Sequence, residues 1–299
     1  MTTPQFSIGL MSGTSMDGID AALIKTDGIH FIKDITNASL SYDKAFHHAL
    51  KIAEYSARKY KGNLIKAEET YAFEIHNYVL DSLKLSPNDG DTIIKLICDY
   101  FGGAFPTFSQ VIEHSTDLHA QLIENLLKTA EMNAHSIDVI GYHGQTLYHS
   151  PSEKITIQIG DGARLAERTG IPVVYQFRKN DVENGGQGAP FAPLYHQALA
   201  IRDHLAPVAI VNCGGISNVT FVLGGSEDDL LGFDTGPGNG LIDLYIKRKT
   251  QGRETFDEDG HYGLQGSFHP ELKQVLFESL KDFLQHELRS LQEKREEIR

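Results

Sequence analysis

Asp181 follows Arg178 and Lys179 and precedes Gly185-Gly186-Gln187-Gly188. A carboxylate in a glycine-lined pocket can take a proton from a hydroxyl or a water. Phosphoryl transfer is mostly positioning and electrostatics, and it needs one group of this kind to orient the nucleophile. A plain loop aspartate paired with Arg178 is the other reading of the same residues. Two further segments have chemistry in them. Met11–Gly18 reads MSGTSMDG and Asn212–Ser217 reads NCGGIS. Turns of this composition between two strands point several N–H groups into one concavity, which suits phosphate oxygens. Gly13, Thr14, Ser15 and Gly18 form one candidate nest, and Gly214, Gly215 and Ser217 the other. Tight hairpins need glycine for steric reasons as well, so the pairing at equivalent positions is the stronger signal. Asp17 and Asp20 flank the first turn. Beside a phosphate nest a carboxylate acts through Mg²⁺; in a plain turn it satisfies local N–H groups. Both readings stand.

GTSM also occurs around the nucleophile of some subtilisin-like proteases. No histidine precedes Ser15, and no base is nearby to orient it, so a serine triad is rejected. His143, His149 and His196 match no zinc spacing.

These residues need elements to hold them. Phe6–Leu10, Ile19–Ile24 and Phe31–Ile35 read as strands around the first glycine turn. Helices are expected at Ala45–Tyr60, Glu68–Leu83 and Thr116–Met132, with an irregular stretch between Leu85 and Phe108. Ile137–Tyr142 reads as a buried strand ending in a polar turn, His143-Gly144-Gln145-Thr146, where ligands of α/β sheets sit. Ile155–Ile159 is a strand, Asp161 caps a helix to Glu167, Gly170 ends it, and Ile171–Tyr175 is a strand. Phe177–Pro190 reads as a glycine-rich loop, followed by a helix from Pro193 to about Ala200. Then the opening pattern returns: strand Pro207–Val211, glycine turn, strand Asn218–Leu223, strand Leu230–Phe233. The repeat predicts two lobes, 1–203 and 204–299. From Pro270 a long amphipathic helix is expected, ending in the charged segment EKREEIR.

Composition narrows the function class. The 299 residues are 40% hydrophobic and 22% charged, as a globular chain should be. The formal charge of −13 disfavours nucleic acid. Two cysteines, Cys98 and Cys213, exclude a disulfide scaffold and fit a reducing, cytoplasmic setting. No apolar run approaches the ~20 residues that span a bilayer, and no signal peptide is evident.

Taken in order, IGLMSGTSMDGIDAAL, GYHGQTLYH, QIGDGARLAERTGIPVV, FRKNDVENGGQGAPFAP, VNCGGISNVT and GFDTGPGNGLID resemble the motifs of the anhydro-N-acetylmuramic acid kinase family, and FDEDGHYGLQG continues the match. The resemblance spans residues 6 to about 284. It implies an α/β, two-lobed actin-like (ribonuclease H-like) ATPase fold. It also implies ATP with Mg²⁺, a sugar substrate from peptidoglycan recycling, ring opening by water and phosphorylation of O6. Asp181 matches the family's catalytic base. Gly13, Thr14, Ser15, Met16, Asp17, Gly18, Ile19 and Asp20 match its ATP-phosphate motif, to which Gly214 and Gly215 are added from the second nest. The motifs place sugar contacts at His143, Gln145, Arg178, Gln187 and Asp234, and a Mg²⁺ near Asp17 through water. The family's later PKSTGRE-like and GGGxxNP-like segments are not found. The second lobe is therefore expected to be incomplete, with exposed sheet edge and self-association, a homodimer included, as consequences. The alternative expectation is a truncated, weak or inactive member that at most binds sugar or associates with itself.

Overall fold

The structure, a computed structural model, describes residues 3–13, 15–29, 31–80, 87–279 and 281. The chain divides into two compact units, Met1–Ala189 and Pro190–Arg299. The division falls one helix before the expected boundary at 203.

The first unit opens with strands β1 (Gln5–Ser12), β2 (Gly18–Thr26) and β3 (Ile32–Ser41), then helices α1 (Lys44–Lys59), α2 (Leu64–Tyr78), α3 (Pro87–Tyr100) and α4 (Phe108–Thr129). It continues through β4 (Val139–Ser150), β5 (Ile155–Ile159), α5 (Gly162–Thr169), β6 (Val173–Tyr175) and the short α6 (Lys179–Glu183). β1, β2 and β3 form an antiparallel meander. β4 lies parallel to β1 on its other side, and β6 lies parallel to β4. The second unit contains α7 (Ala192–Arg202), β7 (Val208–Cys213), β8 (Ile216–Val222), β9 (Leu230–Pro237) and α8 (Gly240–Lys249). β7–β8–β9 is again an antiparallel meander. The α/β class and the repeated strand–turn–strand–strand plan are those of the actin-like ATPase fold. Among the described residues the second unit has this one sheet.

Alternation along β1 sends Ile8, Leu10 and Ser12 inward. With Ile19, Ala21 and Leu23 of β2 and Leu122, Ile123 and Leu126 of α4, the apolar members form one core cluster. A second gathers Phe46, Leu50 and Ile52 of α1, Tyr71 and Ile75 of α2, and Ile93 and Ile97 of α3. α4 starts eight residues earlier than expected, at a capping box in which Thr107 and Gln110 bond each other's backbone. α3 lies where the sequence looked irregular. Pro87 and Gly90 there read as loop formers, yet Pro opens the helix and Ile93 and Ile97 are buried one turn apart.

Two local readings change where the chemistry is placed. His143–Thr146 is no turn: β4 runs straight through it to Ser150. Gly144, at φ +71°, bends the strand, and pairing passes from β1 and β6 to β5. A Cβ at Gly144 would strike the carbonyl oxygen of Ile159, so glycine is required there twice over. The segment 177–190 is not all loop either, because α6 occupies Lys179–Glu183 and contains Asp181. The C-terminal helix is observed over 270–279, starting at Pro270 as expected; the rest of that expectation lies outside the described residues.

Candidate active site

β6 ends at Tyr175, the chain turns at Gln176 (φ +58°), and α6 begins immediately. Arg178 and Asp181 are thus delivered beyond the C-terminal end of a strand parallel to β4, the usual ligand edge of such sheets. Asp181 is exposed. Its Oδ2 accepts the Gly188 N–H at 2.6 Å. The Gly186 and Gly188 backbone wraps tightly around it. A Cβ at Gly186 would fall on the Asp181 carboxylate, and one at Gly188 (φ +65°) would sit 2.5 Å from Val182 Cγ2. The glycines of GGQG are therefore the condition for the loop to close on the carboxylate.

Arg178 does not pair with Asp181 in the way an ordinary loop aspartate would be satisfied. Its Nη1 donates to Gly188 O at 2.5 Å, and its Nε and Nη2 reach His143 Nε2 at 3.2 and 2.9 Å. His143 is buried in β4, and its Nδ1 donates to the Gly144 carbonyl at 2.7 Å. Burial chiefly, with the nearby Arg178 charge, lowers the His143 pKa from its ordinary value against the opposing bond to the Gly144 carbonyl; with Nδ1 donating to that carbonyl, Nε2 is the acceptor that faces the Arg178 N–H groups. Burial likewise lowers Arg178. Gln187 is exposed, and its backbone lies against His149.

Two residues along β4, past the irregularity that shifts its register against β1, Gln145 reaches the other loop. Its side chain is fully buried. Its Oε1 accepts from Ser12 Oγ at 2.5 Å and its Nε2 donates to Gly13 O at 3.1 Å. Both ends of the amide are used inside the protein, so Gln145 pins the first glycine turn from behind. Ser12 Oγ also lies 3.1 Å from the Tyr42 hydroxyl, whose pKa burial pushes up to about 12. His47 Nδ1 bonds Met16 O at 2.7 Å, and Tyr42 N bonds Asp17 O at 2.8 Å. The turn is held at four points by β4, α1 and the β3–α1 connection. The sequence reading missed Ser12 and Tyr42. Ser12 was findable, since it is polar at an inward position of an otherwise apolar strand phase.

In that turn, Thr14 lies outside the described residues. Ser15 and Asp17 are exposed, and Ser15 Oγ donates to Asp17 Oδ1 at 2.7 Å. Met16 (φ +58°) and Ile19 bury their side chains in the core, leaving only backbone for a ligand. Asp20 is exposed on β2 and accepts from Ser39 Oγ at 2.6 Å. A Cβ at Gly18 would meet Leu40 O at 2.5 Å, so strand packing explains that glycine. Nothing comparable explains Gly13, whose Cβ would make only an ordinary 3.5 Å contact with Ser15 Oγ.

In the second unit the carbonyls of Gly214 and Gly215 accept from Asn239 N (2.9 Å) and Gly238 N (3.1 Å), just before α8. Gly215 has nothing within 4 Å of a Cβ position. Asp234 is exposed on β9 opposite Asn218. His196 Nδ1 lies 2.8 Å from Thr220 Oγ1, a local contact and no metal site. Among the described residues no three His, Cys, Asp or Glu side chains gather as metal ligands. Asp17 fits a Mg²⁺ held chiefly by phosphate oxygens and water, the usual arrangement with nucleotides.

A family model described as Anhydro-N-acetylmuramic acid kinase matches residues 87–286. Relatives with the same description include a Brucella canis protein, 42% identical over 265 residues, covering 87% of this chain and 60% of the relative. A Rhizobium etli protein is 39% identical over 281 residues, covering 93% of this chain and 65% of the relative. A Rhizorhabdus wittichii protein is 37% identical over 265 residues, covering 89% and 61%. The chain spans about 60% of the length of the curated relatives it matches.

Proposed function

The chain belongs to the anhydro-N-acetylmuramic acid kinase family, and on that premise we propose that it converts 1,6-anhydro-N-acetylmuramic acid, water and ATP to N-acetylmuramate 6-phosphate and ADP. The observation that supports the reading is the exposed Asp181 carboxylate held against the Gly185–Gly188 loop by the Gly188 N–H. In this reading Asp181 takes a proton from a water as that water attacks C1. The C1–O6 bond breaks, and O6 takes the γ-phosphoryl group, so no separate general acid is needed for the leaving oxygen. A carboxylate on the water's face is what hydrolysis at an anomeric carbon calls for.

Gly13–Asp20 would cradle the phosphates through backbone N–H groups and the Ser15 hydroxyl. The open space over Gly13 and Gly215, which no packing explains, supports close approach of a ligand to the backbone there. Mg²⁺ would screen the phosphate charge near Asp17. His143 and Arg178 would shape the sugar side through the loop, with Gln187 as its exposed polar contact. No helix of the described residues is long and apolar enough to cross a membrane; the reading places the protein in the cytoplasm, where ATP and the recycled sugar meet. The expected homodimer stays part of it, and sedimentation equilibrium decides that point, a single monomeric species removing it.

The test is isothermal titration with Mg²⁺–ATP and with the anhydro-sugar, alongside mass analysis of the products. Binding of both and a phosphorylated, hydrated sugar are expected. Purified chain that binds neither ligand contradicts the reading.

A further inference from the structure

We propose that Arg178 is a positioning residue for Asp181, clamping the Gly185–Gly188 loop so that Oδ2 is held and Oδ1 is the oxygen that takes the proton. The inference rests on Asp181 being the base. It starts from one residue, Gly188, whose two flanking peptide groups are both engaged. The Gly188 N–H is given to Asp181 Oδ2 at 2.6 Å, and the Gly188 carbonyl accepts from Arg178 Nη1 at 2.5 Å. The same residue is therefore gripped from both sides, by the carboxylate it orients and by a guanidinium. The guanidinium is itself fixed, because its Nε and Nη2 edge rests on His143 Nε2. His143 in turn is tied by Nδ1 to the backbone of β4. The line of contacts runs from the sheet through His143, Arg178 and Gly188 to one carboxylate oxygen.

Arginine suits the task for a geometric reason. Its planar fork offers donors on two edges at once, one toward an imidazole nitrogen and one toward a carbonyl. A lysine ammonium can reach one of the two and cannot lock their mutual orientation. Arg178 also precedes α6, and its carbonyl accepts from Val182 N at 3.0 Å, so clamp and base share one short helix. The Gly186 backbone lies against the carboxylate with no room for a side chain, which bars rotation that way. Among the described residues no donor is seen on Oδ1. That oxygen keeps its lone pairs for a water or hydroxyl, while the bond to Oδ2 orients the plane.

The distinction from a substrate-binding arginine is measurable. Amide exchange over peptides covering 179–189, read by mass spectrometry on the full chain, reports the clamp without any need for activity. Peptides from β1 to β4 serve as the folding control. In Arg178→Met and Arg178→Lys the loop amides should exchange at least about tenfold faster with the sheet peptides unchanged. The kcat for phosphorylated sugar should fall about 10- to 100-fold, as expected for a misplaced catalytic group, with the sugar KM within about threefold. His143→Gln keeps an acceptor for the guanidinium and should retain slow loop exchange; His143→Leu should speed that exchange as Arg178→Met does. Unchanged loop exchange in Arg178→Met, or a raised KM with kcat intact, overturns the proposal. A wild-type chain with no transfer activity would overturn the reading of Asp181 as base, while the exchange comparison still decides the clamp.

Discussion

At Asp181 the carboxylate is placed by backbone, and its neighbours matter for what they lack. Gly186 has no positive φ, so alanine suits its backbone, but the added methyl would land on the Asp181 carboxylate. Gly186→Ala should therefore move the base without unfolding the chain. The expected outcome is a kcat loss of about 100-fold with a melting temperature unchanged within a degree or two. Gln145 behaves differently. Its truncation to alanine removes the bonds to Ser12 and Gly13, leaving Ser12 Oγ only Tyr42 and Gly18 O and Gly13 O only Met16 N, and opens a gap where a fully buried side chain stood. That should cost about 1–3 kcal/mol in urea unfolding and weaken Mg²⁺–ATP binding through a loosened turn. The sequence alone leaves Asp181 as either a base or a plain loop aspartate, and only the family resemblance points to the first. Nor was the role of Gln145 legible, because a glutamine in a polar motif looks the same whether its amide faces a ligand or the core. Burial, which decides that, depends on how β4 lies against β1.

On the scale of elements, β4 is the bracket of the site. His143 connects to Arg178 and the Gly185–Gly188 loop and Gln145 to the turn at Gly13, one on each side of the bend at Gly144. The sequence showed the strand up to Tyr142 and stopped it there, since glycine and polar residues signal a turn. Only the pairing with β5 extends it. α6 was missed for a similar reason, being five residues long among glycines. β4 is also packed against α4 by His119, which is fully buried with its ring edge-on to Tyr142 at 4.8 Å. Burial chiefly drives its pKa down to about 4. The folded state thus resists a proton that the unfolded chain accepts below its ordinary value of 6.5. Stability is fully present above that pH and falls as pH drops through the window between 6.5 and about 4. Between pH 7 and about pH 4.5 the wild type should lose about 2–3 kcal/mol more than a His119→Phe variant, measured by urea unfolding at both pH values. Equal losses in the two proteins contradict this account of the helix–strand contact.

Over the whole molecule, the two units differ in how much apolar surface they bury. Both core clusters lie in the first unit. Among the described residues of the second, the buried apolar side chains are Pro193, Ala200, Val219, Val222 and Ile246, while Val211, Ile216, Leu241 and Ile242 are more than half exposed. Regions with few buried apolar contacts open first. Limited proteolysis should therefore cut after residue 190 before it cuts the first unit, leaving a fragment close to Met1–Ala189; first cuts within β1–β4 would contradict it. The repeated meander was legible because a glycine turn between two short apolar runs, followed by a third, occurs twice along the chain. The location of the division was not, because α7 follows a loop and its packing on β8 and β9 is a tertiary choice.

In the proposed reaction one carboxylate drives both ring opening and phosphoryl capture. Asp181→Asn keeps the size of the side chain and removes the basic oxygen. With 1,6-anhydro-N-acetylmuramic acid, ATP and Mg²⁺, product sugar and ADP should be followed together in wild type and variant. The account predicts that both vanish in the variant, by at least about 1000-fold for loss of a general base and its ordering of the water. An Asp181→Asn chain with near-normal turnover, or one that opens the ring without releasing ADP, would contradict it.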